Sequence, residues 1–155
     1  NASIENKWTL IEDLNSDFSQ PNIMIPADYW LANQESFKGR EDISIWLAGD
    51  ADLEGLKDKL AHFSVIGVSF PAFADGRGYS IAHLLKERFN YTGEIRAIGD
   101  VLLDQLFFMK RCGFDTYLLK DGLSAEKAIE YFSTFSDPYQ LAVDIKHPLF
   151  RRKSI

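Results

Sequence analysis

The chain has 155 residues, of which 46% are hydrophobic and 26% are charged, as in an ordinary soluble protein large enough to bury one complete core. Its net charge of −6 is uneven: residues 1–69 have 5 basic against 12 acidic residues (−7), residues 70–115 are neutral, and residues 116–155 have a net charge of +1. This distribution lacks the basic surface that general nucleic-acid binding requires, so we expect no nucleic-acid partner.

Two periodicities alternate along the chain. Short apolar runs predict five strands, and between them apolar residues recur with helical spacing. The predicted strands are residues 22–26, 43–49, 64–71, 94–99 and 116–120, and the helical patterns cover residues 53–60, 81–88, 101–112 and 125–132. The residues expected to cap helices are Asp28, Asp52, Ser80, Asp100 and Ser124.

Strand–helix–strand alternation with short connections favours right-handed crossovers and a parallel sheet. We therefore expect an α/β fold, a three-layer domain with a mainly parallel sheet of about five strands. The alternative is a half-barrel of the same βα units. Residues 1–155 are expected to form a single domain, with residues 1–2 as an expression remnant and residues 146–155 as a basic tail.

The segment 101–112 is apolar around nearly its whole circumference, with large side chains at seven of twelve positions. A helix of this kind must be covered on several sides. Two interpretations stay open: a central helix packed beneath its neighbours, or the interface of a homodimer, with Phe107 or Phe108 as the central anchor.

Polar residues follow two predicted strands at the edge where parallel sheets usually bind ligands. The residues expected to surround one crevice there are Asp75, Arg77, Tyr79, Ser80, Asp100 and Asp104. A helix amino terminus beside this loop favours anions. The competing interpretation is that residues 75–78 form a tight turn that Asp75 caps.

Arg96 occupies the middle of a predicted strand, where side chains of parallel sheets are usually buried. A buried guanidinium stays charged and needs a carboxylate nearby. The sequence offers Asp75, Asp100 and Asp104 as partners, and Arg96 is then either part of a structural ion pair or an anion-binding residue of the crevice.

Residues 111–115 end a helix and precede a strand, so we expect them at the opposite edge, with Gly113 ending the helix. Cys112 is expected to be buried and inert there. As the single cysteine, it excludes an intramolecular disulfide and any iron–sulfur or zinc site made of cysteines within one chain. The three histidines lack metal-ligand spacing, so we expect no metal site, and the cofactor is undetermined.

No apolar run approaches the ~18–20 residues that cross a bilayer, and no signal peptide is evident. We expect a cytoplasmic location without membrane contact.

Residues 70–119 resemble a bacterial family of unknown function, number nine-three-four in the domain-of-unknown-function series. Three motifs carry the resemblance: Asp-Gly-Arg-Gly-Tyr-Ser at 75–80, Arg-Ala-Ile-Gly-Asp-Val at 96–101 and Arg-Cys-Gly-Phe-Asp at 111–115. Residues 8–10, 29–30 and 149–152 extend it over nearly the whole chain. Lys86 departs from the family, whose members more often have arginine there.

Genes of this family usually lie beside a sulfite reductase gene, and its members are described as oxidoreductases of sulfite reduction. The resemblance thus implies an accessory or oxidoreductase-related component of assimilatory sulfite reduction that binds sulfite reductase or its electron donor. It identifies no active site, because the family has none established. The alternative is an anion-binding enzyme or binding protein that uses a crevice around Asp75, Arg77, Arg96 and Asp100, so enzymatic activity is undecided.

Overall fold

Six parallel strands form one sheet, and their spatial order is their order along the chain. The computed structural model describes residues 3–72 and 74–132. The strands are β1 (Thr9–Leu10), β2 (Ile23–Pro26), β3 (Ile43–Leu47), β4 (Val65–Phe70), β5 (Glu94–Gly99) and β6 (Thr116–Tyr117). The predicted remnant at residues 1–2 and the basic tail at 146–155 lie outside the described residues.

Helices follow most of the strands. The α-helices are α1 (Ala27–Ala32), α2 (Leu53–Leu56), α3 (Arg77–Glu87), α4 (Leu106–Cys112) and α5 (Ala125–Tyr131). Short 3-10 helices cover Gln34–Phe37, Leu60–His62 and Leu103–Gln105.

The sequential strand order makes the sheet a curled half-barrel. Right-handed crossovers that all advance in one direction place the helices on one face of the sheet, whereas a three-layer domain needs helices on both. The α/β class and the parallel sheet are confirmed, and the half-barrel is the arrangement found. The strand that prediction missed, β1, has only two residues, too few to show an alternating pattern.

The main core lies between the sheet and its helices. Alternate strand residues such as Ile45, Val68 and Ala97 face this side, because side chains of a strand alternate between the two faces. They pack with buried helix residues, including Leu85 and Met109, both 0% exposed. This core holds the loops at the carboxyl ends of the strands in fixed positions.

A smaller cluster fills the other, concave face. Met24, Val65 and Ile98 are buried there, and Trp8 and Trp46 pack against them. The indole N–H of Trp46 donates to the carbonyl of Ile11 at 3.0 Å. The described amino-terminal residues therefore help to line the inside of the half-barrel.

Of the predicted helix caps, Asp52 and Ser124 are confirmed, because each side chain accepts a backbone N–H of the first helical turn. Three others are wrong. Helix α1 begins directly after Pro26, which places Asp28 within its first turn. Helix α3 begins at Arg77, three residues before Ser80. After Asp100, helical structure resumes only at Leu103–Gln105, which follows Leu102.

The apolar segment 101–112 is divided into the 3-10 helix Leu103–Gln105 and α4. Val101, Leu106 and Met109 are each 0% exposed, whereas Phe108 is 51% exposed. Helix α4 contacts both α3 and α5. Neighbouring helices thus cover most of the segment, and one phenylalanine remains on the surface.

Candidate functional site at the carboxyl edge of the sheet

The loop after β4 joins Asp75 and Arg77 in a bidentate ion pair. The carboxylate oxygens of Asp75 accept Nε–H at 2.9 Å and Nη2–H at 2.7 Å, and Oδ1 also accepts the backbone N–H of Arg77 at 3.1 Å. The side-chain hydrogen bonds, reinforced by the backbone one, lower the pKa of Asp75 to about 2. Asp75 thus stays ionised and shapes the turn at the start of α3.

Gly49, which follows β3, makes room for Arg77. A Cβ atom at Gly49 would lie 2.6 Å from Nε of Arg77, which is closer than atoms approach without displacement. The ion pair with Asp75 raises the pKa of Arg77, and the charge of Asp50 adds to that effect. The carboxylates of Asp50 and Asp75 and the guanidinium of Arg77 give the two loops after β3 and β4 a combined charge of −1 from these three residues. This charge disfavours an anionic ligand.

Sequence reasoning missed Gly49, although a signal was present. Gly-Asp occurs twice at the carboxyl end of a strand, at residues 49–50 and at residues 99–100. Only the second pair was assigned to the site, yet both lie at the carboxyl edge, where the loops of a parallel sheet converge.

Tyr79, in the first turn of α3, lies between two aromatic rings. Its ring centroid is 5.1 Å from that of Phe70 and 4.9 Å from that of Phe108. Phe70 is fully buried, whereas Phe108 is 51% exposed. Burial raises the pKa of the Tyr79 hydroxyl, and the charge of Asp104 adds to the increase. The three rings form a row from the buried Phe70 to the exposed Phe108. We call the two rings nearer the surface the Tyr79–Phe108 pair.

Ser80 and Asp104, also predicted for the crevice, are both exposed. Ser80 lies inside α3 because the helix begins earlier than predicted. Asp104 lies in the 3-10 helix Leu103–Gln105, one helical turn before Phe108 in sequence. Within residues 3–72 and 74–132, its carboxylate forms no hydrogen bond or ion pair, so it is available to other molecules.

Asp100 pairs with Lys120, a residue that sequence reasoning did not include. The Nζ of Lys120 donates to Oδ1 of Asp100 at 2.7 Å. Gly99 has a φ of +91°, so the chain turns directly before Asp100. The backbone N–H of Asp100 then donates to the carbonyl of Phe70 at 2.7 Å. Lys120 lies at the carboxyl end of the β6 region, a position that could have indicated it.

The predicted pairing of Arg96 with Asp75, Asp100 or Asp104 is wrong. Arg96 is 7% exposed and donates from Nε and Nη2 to Glu94, at 2.9 and 2.7 Å. It also donates to Thr116 at 3.1 Å and to Asn6 at 2.7 Å. The alternation of the strand places Arg96 on the concave face with Glu94, about 13 Å along the strand from Asp100. Arg96 therefore binds the amino-terminal segment to β5 and β6.

The motif at residues 111–115 lies at the amino edge of the sheet, as predicted. Gly113 ends α4 with a φ of +110°, and Asp115 accepts the backbone N–H of Ile95 at 2.8 Å. Asp115 also pairs with Lys86 at 2.9 Å. Cys112 is half-buried, less buried than expected. The contacts of Gly113 and Asp115 connect α3, α4 and the start of β5.

Two cavities of the described chain lie away from the predicted site residues. One of about 490 Å³ is lined by apolar residues of the β6 region and α5, including Tyr117 and Phe132. An open groove of about 1,120 Å³ runs past Trp30 and Phe63 near the amino edge. Across residues 3–72 and 74–132, no group of three histidine, cysteine or acidic side chains could hold a metal ion. No helix among them is long and apolar enough to cross a membrane.

The structure thus pairs Asp75 with Arg77, packs Tyr79 in the same turn of α3 against Phe70 and Phe108, and places Asp100 at the same edge. It separates Arg96 from these residues. The charges of Asp75 and Asp100 are each bound to a basic neighbour. The edge therefore presents fixed ion pairs beside an exposed aromatic surface, an arrangement better suited to binding than to proton transfer.

Comparison with known proteins adds one match. A family model described as a bacterial protein of unknown function (DUF934) matches residues 44–150, more than half of the chain. The matched range runs from the second residue of β3 through α5 and includes the whole Asp75–Arg77 loop. No curated protein matches the chain.

Proposed function

The chain belongs to the bacterial family of unknown function DUF934, and from that premise we propose that it is an accessory component of assimilatory sulfite reduction. It binds sulfite reductase or the electron donor of that enzyme. Any oxidoreductase activity then belongs to the complex of this chain with sulfite reductase or its electron donor. No cofactor is assigned to this chain.

The Tyr79–Phe108 pair is the observation that carries this proposal. Phe108 exposes 51% of its surface while its ring packs on Tyr79. Tyrosine and phenylalanine are enriched in protein interfaces, where a rigid aromatic ring contributes much contact area at little entropic cost. Tyr79 is held by Phe70 from the core side, so the surface is already organised before a partner binds.

The link to sulfite reduction comes from the family resemblance. The motifs of that resemblance include Asp-Gly-Arg-Gly-Tyr-Ser at residues 75–80, which contains Tyr79 of the Tyr79–Phe108 pair. If all members of the family bind the same partner, we expect the surface that binds it to include a family motif. The anion-binding alternative gains no support, because Asp50 and Asp75 outweigh the one positive charge of Arg77.

Binding to purified sulfite reductase, and separately to its electron donor, tests the proposal. Phe108→Glu should weaken the affinity for the partner at least tenfold, because it places a charge where an apolar contact forms. Leu14→Glu is the matched control, since Leu14 is 47% exposed and follows β1, which is separated from β4 by two strands of the sheet. Affinity for neither protein, or equal affinity of wild type and Phe108→Glu, would contradict the proposal.

The same variant also tests the predicted homodimer. Sedimentation of wild type and Phe108→Glu at tens of micromolar shows whether Phe108 joins two copies of the chain. A wild-type dimer that Phe108→Glu dissociates without loss of partner affinity would assign the pair to self-association and refute its role in docking.

A further inference from the structure

An apolar cavity of about 490 Å³ lies at the outer edge of β6, the last strand in the sheet order of the described residues. Both faces of the β6 region line it. Thr116 and Leu118 belong to the concave face, where Thr116 accepts a hydrogen bond from Arg96 and Leu118 packs on the smaller cluster. Tyr117 and Leu119 pack on the opposite face, with the main core. A cavity that touches both faces of an edge strand occupies the position that the next strand of the sheet would take.

The region of α5 and the amino-terminal segment form the other walls of this cavity. Ala128 and Phe132 line it on the helix side, and the ring centroid of Phe132 is 4.9 Å from that of Tyr117. Ile4, which is 62% exposed, lines it on the concave side. The edge of a sheet binds a further strand unless other parts of the chain cover it. We therefore expect an apolar, extended segment in this cavity.

The described residues end at Phe132, directly beside this cavity. Residues 133–155 lie outside the described residues, and the family model matches them as far as residue 150. Their sequence contains an alternating run at 139–145, in which the apolar positions are Tyr139, Leu141, Val143 and Ile145. Alternation with a period of two is typical of a strand that buries one face. The chain thus offers an apolar segment of its own to the edge of β6.

The direction of the chain fits this run to the edge of β6. A helix between parallel strands returns the chain to the amino edge of the sheet, and the contact of Phe132 with Tyr117 places the end of α5 beside β6. The six residues 133–138 match the about 2–6 residues that usually connect a helix to the next parallel strand. Since the sheet order follows the chain order from β1 to β6, the next strand is expected beside β6.

We propose that residues 139–145 of this chain fill the cavity as a further strand of the sheet, parallel to β6. The side chains of Leu141 and Val143 pack between β6 and α5, on the face that already holds the main core. A parallel strand ends at the carboxyl edge, so it also brings the following residues, Lys146 and His147, to the edge of the candidate site. This inference concerns how the sheet is completed, and it does not rest on the proposed function.

Nuclear Overhauser contacts in the full chain test this position directly. We expect contacts between the backbone protons of residues 140–144 and those of residues 116–118, in the evenly spaced pattern of parallel strands. Contacts of the run with another surface, an antiparallel pattern, or no contacts with β6 would overturn the inference. In a mixture of labelled and unlabelled protein, contacts that form only between two chains would assign the occupant to a second copy and would also overturn it.

Substitutions within the run supply a matched comparison. Leu141→Asp should lower the Tm by at least about 5 °C and speed amide hydrogen exchange at Leu118, because it places a carboxylate in an apolar cavity. Gln140→Asp changes the adjacent position on the opposite face and should lower the Tm by less than about 2 °C. If Leu141→Asp does not fold, Leu141→Ala takes its place in the same comparison. Equal shifts of the two variants, or unchanged exchange at Leu118, would contradict the inference.

Discussion

Arg77 controls the ionisation of Asp75, because it supplies both the side-chain and the backbone donors that stabilise the carboxylate. The folded pKa of about 2 lies below the usual 3.8, so the pair stabilises the fold above pH 3.8 and loses that effect as the pH falls towards 2. Arg77→Gln should raise the pKa of Asp75, measured by carboxyl carbon NMR shifts against pH. An unchanged pKa would show that the backbone N–H alone sets it.

Arg96 holds a different kind of ion pair, since it is buried while Glu94 is partly exposed. Arg96→Ala should lower the free energy of unfolding by about 1.5–3 kcal/mol, because it removes the hydrogen bonds of a buried charged group to Glu94, Thr116 and Asn6. Arg88→Ala is the control, since Arg88 and Glu54 are 64% and 52% exposed, and such pairs contribute about 0–1 kcal/mol. Urea unfolding measures both. Equal losses would contradict the structural role of Arg96.

Two of the glycines with positive φ, Gly99 and Gly122, differ in the space around them. Gly99 has φ +91° and a Cβ there would lie 2.5 Å from the carbonyl oxygen of Phe70, whereas Gly122 has φ +85° and open space around it. Gly122→Ala should cost about 1–2 kcal/mol for the backbone conformation alone. Gly99→Ala should cost roughly 1–3 kcal/mol more, because the backbone of β4 must move. Thermal unfolding measures the difference, and equal losses would refute a close approach of β4 at Gly99.

Sequence patterns predicted which elements exist better than where each element begins and ends. Strand β5 was predicted at its observed bounds, because residues 94–99 form one apolar run between turn residues. Helix α3 was placed too late, since its amino terminus is set by the Asp75 side chain and not by the apolar stripe. The hydrogen bond between Asp75 and the backbone N–H of Arg77 joins residues two positions apart. Such a contact leaves no trace in the periodicity of apolar residues.

At the scale of the whole molecule, the sequence predicted which residues lie at the carboxyl edge but not their partners. Asp75 and Asp100 were placed there from chain direction alone. Lys120 meets Asp100, and Gly49 meets Arg77, only in three dimensions, because they come from other loops. Arg96 was assigned correctly as buried and wrongly as part of the crevice. The side of the strand that it faces depends on register, which the apolar run at residues 94–99 does not reveal.

The half-barrel also explains why the surface near Phe108 is available. Because the strands follow one another in chain order, the helices on one face of the sheet lie side by side in the same order. Helix α4 therefore contacts α3 on one side and α5 on the other, and its outward face stays exposed. In the proposed function, that face and the adjoining loops at the carboxyl edge meet the partner together.

Growth on sulfite as the sole sulfur source tests the central claim most directly. A strain without the gene should grow poorly on sulfite and normally on cysteine or sulfide, because the defect precedes the formation of sulfide. The wild-type gene and Leu14→Glu should restore growth, and Phe108→Glu should not. Normal growth of the deletion strain on sulfite, with no second copy of the gene, or full restoration by Phe108→Glu, would contradict the account.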